Sequence, residues 1–381
     1  MTVEELLGAY RSRPSVVSLS ARLGQPERVH LHLHGLLGSA DAVVAAAVAR
    51  STEVPMLFVL NDREDASYFL NDLEQLLGQE ALLFFPASYK KSFQLDDPDN
   101  GNILLRAEVL SRINRGSRTL VVTYPEAIAE RVVTKRNLEQ NSIELRVGEK
   151  ISTDFITEFL LHHGFESVDF VAQAGEFSVR GGIVDIYSFA NELPYRVEFF
   201  GDEVESIRTF DPESQLSVQA MHHVMIMPNV QTKLLEESRS SFFEFIPGNT
   251  AVWFRDAGAA LSALETGLSK VKQLVAAEKT YEPEQLDLVF EPAPEQEERW
   301  AKFTTVEFGK RFRFPEDHAW KFKLHPQPSF NKNFNLLIAN LQENKRNGLT
   351  NVLFADSARQ IERLYAIFED LEKKHGIKGH V

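Results

Sequence analysis

The sequence predicts an α/β fold with a mostly parallel sheet, together with a smaller α+β domain that contains an antiparallel sheet. Three observations lead to this fold class. Strand-like and helix-like segments alternate over residues 1–141, short strands and turns dominate residues 142–229, and helix and strand patterns return over residues 230–381. We interpret the third region as a continuation of the first sheet, which makes the middle region a separate domain.

Hydrophobic runs in the first region indicate strands that are buried on both faces, as in parallel sheets. The predicted strands are 29–33, 55–60, 82–85 and 119–123. The predicted helices are 41–50, 62–77 and 103–114. Asp41 is placed to cap the first of these helices. Strands that alternate with helices in this way predict parallel pairing.

The later regions have fewer regular patterns. In the middle region a helix is predicted at 153–163, among short strands. In the third region the predicted helices are 234–245, 257–278, 334–347 and 356–374, and the predicted strands are 251–254 and 351–354. Residues 292–328 combine aromatic, proline and charged residues without a clear period, so no element is predicted there.

Composition and charge limit the possible functions. The chain has 381 residues, enough for two or three domains with hydrophobic cores. Its net charge of −14 opposes unassisted binding to a phosphate backbone, so a role in binding nucleic acid alone is disfavoured. Because it has no cysteine, disulfides and thiolate metal sites are excluded. The acidic, helical start and the lack of a long apolar run predict a cytoplasmic protein with no membrane contact.

Residues 175–211 carry the strongest functional pattern. Alternation along the strands predicts one inward-facing set, which consists of Phe177, Val179, Tyr195, Val197 and Phe199. The opposite face then presents Arg180, Arg196 and Phe200, with Arg180 just before the turn at residues 181–182. Arginine and aromatic residues are enriched at the energetic centres of protein interfaces. The pattern therefore predicts a binding surface that contains Arg180, Arg196 and Phe200.

The same stretch contains the motifs RGGIVDIY, PYRVEFF, DEVESIR and FDPES, in that order. With these motifs it resembles the second domain of the nucleotide-excision-repair helicase UvrB. It is still more similar to the corresponding domain of the bacterial transcription-repair coupling factors (Mfd). The resemblance implies that this domain docks UvrA, and it assigns the contact to Arg180, Arg196 and Phe200. It also implies that a helicase-like α/β lobe is split in sequence around the inserted docking domain.

A degenerate phosphate-binding loop follows the first predicted strand. A working loop has the pattern G-x-x-x-x-G-K-[ST], in which lysine holds phosphates and the hydroxyl holds magnesium. Gly35 and Gly38 are present, but Ala40 replaces the second essential glycine, Asp41 replaces the lysine and Ala42 replaces the hydroxyl. An aspartate at that position repels the phosphates that a lysine attracts. The loop is therefore predicted to be inactive.

The second half of such a site is altered as well. By resemblance, residues 246–254 align with the UvrB strand that ends in a metal-binding acidic motif. Here the strand continues into Arg255 and Asp256, so a single carboxylate remains next to an arginine. This double loss favours the coupling factors over UvrB, because the coupling factors have their motor elsewhere in a longer chain. We therefore expect no catalytic residue and no cofactor in this chain.

The resemblance thus implies a non-catalytic adaptor that binds UvrA and recruits nucleotide excision repair to RNA polymerase stalled at DNA damage. It further implies contacts with other domains of the full-length protein, and with RNA polymerase and DNA through domains missing from this chain, which is expected to be a fragment. The full-length family protein is an ATP-dependent DNA translocase. The alternative is a UvrB-like ATP-dependent DNA-remodelling enzyme, and a third possibility, a plain nucleic-acid module, requires a basic groove.

Histidines alternate at His30, His32 and His34, so their rings share one face of a strand. Such a face is able to bind a metal, but the sequence shows no convincing further ligand. We therefore predict structural roles for these histidines, and for the pairs at 162–163 and 222–223, and no metal site.

Two acidic clusters are predicted to have no catalytic role. The run at residues 96–99 lacks the spacing and the closing glutamate of a calcium loop. Asp202, Glu203 and Glu205 are expected to form a turn and solvent-facing positions of the docking domain, not the acidic motif of a helicase. No G-x-S-x-G motif of a serine hydrolase occurs.

Overall fold

The computed structural model describes residues 2–89, 99–189, 191, 193–226, 239–278, 283–331, 333–353 and 357–375. It divides into two compact units, Leu7–Lys323 and a second unit that combines Met1–Leu6 with Leu324–Val381. Each unit is described by itself.

The described strands are short and numerous. Their bounds are β1 His30–His34, β2 Met56–Val59, β3 Leu82–Phe85, β4 Leu120–Thr123, β5 Val132–Val133, β6 Ile143–Arg146, β7 Glu166–Ser167, β8 Glu176–Arg180, β9 Ile183–Ile186, β10 Tyr195–Phe200, β11 Glu203–Phe210, β12 Ser217–Met221, β13 His223–Ile226, β14 Arg239–Ser240, β15 Ala251–Phe254, β16 Thr304–Glu307 and β17 His318–Lys321.

The described helices vary from one turn to six turns. Their bounds are α1 Val3–Arg11, α2 Pro14–Leu23, α3 Ala40–Ala49, α4 Arg63–Leu77, α5 Asn100–Asn114, α6 Pro125–Ala129, α7 Lys135–Gln140, α8 Thr153–His162, α9 Phe242–Phe245, α10 Ala257–Glu278, α11 Pro283–Val289, α12 Ala293–Trp300, α13 Phe334–Arg346 and α14 Ala358–His375. A 3₁₀ turn at Gln79–Ala81 precedes β3.

A parallel sheet forms the core of the larger unit. Among the described strands its order is β17-β1-β16-β15-β2-β4-β3, and each pairing is parallel. The central strands β2, β4 and β15 are buried along their whole length, because α4, α5 and other helices cover the sheet. Strands β15, β16 and β17 come from the third region of the sequence. The predicted α/β fold and the return of the chain to the first sheet are confirmed.

A second, mixed sheet lies between the two sequence segments that build the parallel sheet. Its order is β12-β11-β10-β9-β8-β7, with antiparallel neighbours except for the parallel pair β7 and β8. Ile156 and Leu160 of α8 belong to the same buried cluster as Val184 and Val197 of the sheet. The predicted separate α+β domain is therefore confirmed, with one parallel pairing added to the expected antiparallel ones. The domain boundaries at residues 142 and 230 stay a prediction.

Several predicted elements differ from the structure. No strand forms at residues 351–353, and residue 354 lies outside the described part of the chain. The third region reaches the sheet through β16 and β17 instead, both in the segment where no element was predicted. The predicted helix at 234–245 is confirmed only for its last turn, α9 at Phe242–Phe245, because residues 239–240 form β14 instead.

Two helix starts also differ from the prediction. Helix α5 begins at Asn100 rather than at residue 103, because the Asp99 carboxylate accepts a hydrogen bond from the Asn102 amide at 3.1 Å. Helix α3 begins at Ala40, so Asp41 lies inside the first turn and does not cap it. The rest of the acidic run at 96–99 lies outside the described residues.

The smaller unit contains α13 and α14. Its buried apolar cluster consists of Ile338, Leu341 and Phe368. Across the described residues of both units, no helix combines the length and apolar character that crossing a membrane requires.

Gly309, just after β16, is packed against the end of β15. A Cβ atom built on it lies 1.8 Å from the Arg255 carbonyl oxygen, so no side chain fits without moving backbone. We expect Gly309→Ala to lower the free energy of unfolding by about 1–3 kcal/mol, as overpacking does.

Gly248→Ala is the matched control, because nothing lies within 4 Å of the Cβ position there. Urea denaturation of the two variants and of the original chain measures the free energy of unfolding of each. Equal stability of Gly309→Ala and the original chain would contradict the close packing.

Candidate functional site

The outer face of the mixed sheet collects the predicted binding residues. Register places Ser178, Asp185 and Arg196 in one row across β8, β9 and β10, and Arg180 and Glu198 in the next row. Within β10 the inward side chains are buried, whereas Arg196 and Glu198 are partly exposed and Phe200 is exposed. The predicted alternation along β10 is therefore confirmed. Val179 of β8 pairs in register with buried Val184, but it is 41% exposed one residue before the strand ends, so its predicted burial is wrong.

A fully buried carboxylate, that of Asp185, organises this face. Arg196 binds it with two hydrogen bonds, from Nε to Oδ1 at 2.7 Å and from Nη2 to Oδ2 at 2.8 Å. Arg180 donates a further hydrogen bond from Nη2 to Oδ2. Two guanidinium groups thus share one carboxylate that has an exposed fraction of only 1%. A buried charge requires such pairing, because moving an unpaired charged group out of water costs much free energy.

Arg196 is more enclosed than the sequence suggests. Its side chain is 13% exposed, and its guanidinium lies 4.3 Å from the ring centroid of buried Phe210. It also donates hydrogen bonds to the side chain and carbonyl oxygens of Gln215, at 3.0 and 3.3 Å. The hydrogen bonds to Asp185 raise the pKa of Arg196 above its ordinary value. Arg196 therefore fixes the sheet to the loop before β12.

Arg180 and Phe200 are the accessible members of the predicted set. The Arg180 side chain is 36% exposed, and its guanidinium lies 5.0 Å from the ring centroid of Phe170, which is 65% exposed. Phe200 is 81% exposed at the end of β10. Two strand spacings and two residues of rise place the Cα atoms of Arg180 and Phe200 about 12 Å apart. Such a separation lies within a single protein interface.

Sequence reasoning missed the residues that hold this surface together. Asp185 lies in the DIY motif, but its burial depends on pairing with two arginines from other strands. Phe170 precedes β8 in an irregular segment, so strand alternation gave no signal for it. Of the acidic residues near this sheet, Asp202 lies in the β10–β11 turn, while Glu203 and Glu205 are exposed on β11. This agrees with solvent-facing roles.

The loop at residues 35–42, predicted to be a degenerate phosphate loop, lies at the carboxyl edge of the parallel sheet, where α/β proteins bind ligands. Gly35 and Gly38 both have positive φ angles, of 80° and 57°, and the loop leads into α3 with Ala40 and Ala42 in its first turn. Asp41 occupies the lysine position and is mostly buried, with 13% of its side chain exposed. Burial raises the pKa of Asp41, and the nearby Arg255 opposes that shift.

An internal ion pair occupies the position next to this loop. Arg255 Nη2 donates to Asp41 Oδ2 at 2.6 Å, and Arg255 Nη1 lies 3.1 Å from Asp65 Oδ1. The guanidinium also lies within 6 Å of the ring centroids of Phe69 and Phe308. The sequence placed Arg255 beside the altered acidic motif but gave no sign of its partners, which come from α3 and α4.

Asp256, the remaining carboxylate, is engaged in structural contacts. Its Oδ1 accepts a hydrogen bond from the Ala259 amide at 2.8 Å, which caps α10. Its Oδ2 accepts one from Arg311 Nε at 2.8 Å. At this edge of the sheet, acidic side chains are therefore paired with arginines of the same chain.

Beside the loop, the histidines of β1 meet an acidic residue from the segment before β17. His32 and His34 form a group with Glu316 whose possible ligand atoms all lie within 4.8 Å of one another. His30 lies apart from this group, with its Nδ1 2.8 Å from Thr305 Oγ1. Glu316 is 282 residues from His34 in sequence, so spacing gave no signal for it. The prediction of purely structural histidines remains a prediction.

Comparison with known proteins identifies one matching family model and several relatives. Residues 143–231 match the family model of the UvrB interaction domain. The chain is 29% identical to a transcription-repair-coupling factor of Bacillus subtilis over 254 residues, which covers 67% of this chain and 21% of that protein. It is 30% identical to a transcription-repair-coupling factor of Myxococcus xanthus over 225 residues, covering 57% of this chain and 18% of that one.

A third relative, the transcription-repair-coupling factor of Escherichia coli K12, is 25% identical over 194 residues, or 51% of this chain and 17% of the relative. The chain thus spans about a fifth of the length of the curated relatives that it matches. These matches confirm the resemblance to transcription-repair coupling factors that the motifs indicated.

The different burial of Arg196 and Phe200 predicts a large effect on stability for one substitution and almost none for the other. Removing the Arg196 side chain leaves Asp185 with one partner, so we expect Arg196→Ala to reduce the free energy of unfolding by about 3 kcal/mol. Phe200→Ala removes an exposed ring and is expected to change it by less than about 0.5 kcal/mol. Chemical denaturation of both variants measures these values. A stable Arg196→Ala variant would show that the Asp185 pair is not structural.

Proposed function

We propose that this chain is a non-catalytic adaptor that binds UvrA and recruits nucleotide excision repair to RNA polymerase stalled at DNA damage. The observation that carries the proposal is the coincidence of two facts. The segment that matches the UvrB interaction domain forms a sheet whose outer face presents Arg180 and an 81% exposed Phe200. The named relatives are coupling factors of transcription and repair, which supports the same role.

The proposed contact has a polar part and an apolar part. Phe200 inserts into an apolar pocket of UvrA, and Arg180 pairs with a carboxylate or carbonyl oxygen next to it. Phe170 extends the apolar area, because its exposed ring lies beside the Arg180 guanidinium. Arg196 acts in two ways in this proposal. Its small exposed edge touches the partner, and its pairing with Asp185 holds Arg180 in place.

The rest of the chain serves as a scaffold in this proposal. Residues 142–229 are the docking domain, and the split lobe around it is formed by residues 7–141 and 230–323 of the larger unit. Other domains of a longer chain contact RNA polymerase and DNA. The recruitment of repair takes place in the cytoplasm. Because Asp41 is held by Arg255, a nucleotide phosphate has to displace an ion pair and face a carboxylate. This ion pair supports the proposal that the described part of the chain does not hydrolyse nucleotides.

Binding of purified UvrA to the immobilised chain tests the surface. We expect Phe200→Ala and Arg180→Ala each to weaken the affinity at least about tenfold, because both residues are of the types that dominate interfaces. Tyr68→Ala is the matched control, since Tyr68 is an aromatic residue of α4 that is 68% exposed. Its affinity is expected to equal that of the original chain.

The stability of each variant is measured in parallel, so that loss of folding is separated from loss of binding. Unchanged affinity in folded Phe200→Ala and Arg180→Ala variants would reject the proposed surface. Failure of the original chain to bind UvrA at all would reject the proposed function.

Titration with magnesium and ATP tests the scaffold role of the loop. We expect no saturable binding over about 1 μM to 1 mM, the range in which enzymes typically bind their substrates. The reason is the replacement of the phosphate-binding lysine by Asp41. Magnesium-dependent binding that is abolished by Gly38→Val in the loop would instead favour a UvrB-like ATP-dependent enzyme.

A further inference from the structure

We propose that His32, His34 and Glu316 bind a divalent transition-metal ion with the coordination chemistry of Zn²⁺. The two histidines lie on the same face of β1, and Glu316 lies two residues before the neighbouring strand β17. Imidazole nitrogens and a carboxylate oxygen are the ligands that zinc takes in sites without cysteine. The site is independent of the proposed UvrA surface.

The distances between the donor atoms fit a single ion. Glu316 Oε2 lies 3.4 Å from His32 Nδ1 and 3.2 Å from His34 Nε2. In a tetrahedral zinc site with bonds of about 2.0–2.1 Å, neighbouring ligand atoms are about 3.3 Å apart. The two imidazole nitrogens lie within 4.8 Å of each other, so the three side chains converge on one point and leave a fourth position for water or another ligand.

The second nitrogen of His32 gives independent support. His32 is 4% exposed, and its Nε2 is buried without a hydrogen-bond partner among the described residues. It lies 3.3 Å from Oε2 of Glu307, a residue with no exposed surface. If Nδ1 binds the ion, Nε2 carries the proton and faces this carboxylate. Metal-bound histidines in proteins usually make such a contact through the nitrogen that does not bind the metal.

The surroundings favour one defined geometry. The Phe312 ring stacks on His32 at a centroid distance of 4.5 Å and contacts His34 at 4.4 Å, which limits rotation of both imidazoles. Glu316 is 50% exposed and His34 is 32% exposed, so an ion has access from solvent. The Glu316 carboxylate also supplies a negative charge next to the ion. Bound metal would join the β16–β17 connection to β1 and stabilise the larger unit.

Isothermal titration of the metal-free full chain, without an affinity tag, with ZnCl₂ tests the site. We expect binding of one equivalent and an increase in the thermal unfolding midpoint. Titration with Co²⁺ is expected to produce the visible absorption of a tetrahedral nitrogen and oxygen site. Glu316→Gln and His34→Ala are each expected to weaken zinc binding at least about tenfold, by analogy with the effect of altering supporting ligands.

His30→Gln is the matched control. His30 lies on the same strand and face, but its Nδ1 contacts Thr305 and it is outside the group of three. Its zinc affinity is expected to stay unchanged. The half-exposed, nearly isosteric Glu316→Gln change keeps the fold, as circular dichroism verifies. No zinc binding by the original chain, or equal binding by the Glu316→Gln and His34→Ala variants, would overturn the proposal.

Discussion

The buried carboxylate of Asp185 is the constraint on which the outer face of the mixed sheet depends. The charge of this buried acidic group has to be compensated. Arg196 and Arg180 on the two neighbouring strands provide the compensating charge. The pairing fixes both guanidinium groups and, through Gln215, the loop before β12. A face with few free rotamers loses less conformational entropy when a partner binds. The same contact therefore stabilises the sheet and, in the proposed complex with UvrA, limits the entropy lost on binding.

Pairing of acidic residues with an arginine also occurs at the carboxyl edge of the parallel sheet. There, Asp41, which the sequence pattern predicts to replace a phosphate-binding lysine, is paired with Arg255 from the end of β15. Arg255 also reaches Asp65, so one cation serves two acids. The close approach of Gly309 to the Arg255 carbonyl couples this pair to β16. An edge that binds ligands in many α/β folds is here stabilised by contacts within the chain.

The sequence predicted local features better than long-range ones. Burial of β2, β4 and β15 and the alternation along β10 follow from short-range patterns, and the structure confirms them. Strand β16 escaped prediction because its sequence TTVE is polar, although its pairing between β1 and β15 buries most of it. The enclosure of Arg196 and the approach of Glu316 to His34 depend on tertiary packing, which periodicity does not encode.

Hydrogen–deuterium exchange of the chain with and without UvrA tests most directly whether UvrA binds the outer face of the mixed sheet while the loop at residues 35–42 stays inactive. We expect slower exchange in β8 and β10, around Arg180 and Phe200, and no change at residues 35–42, whether or not ATP and magnesium are present. Protection confined to other surfaces, or ATP-dependent protection at residues 35–42, would contradict this expectation.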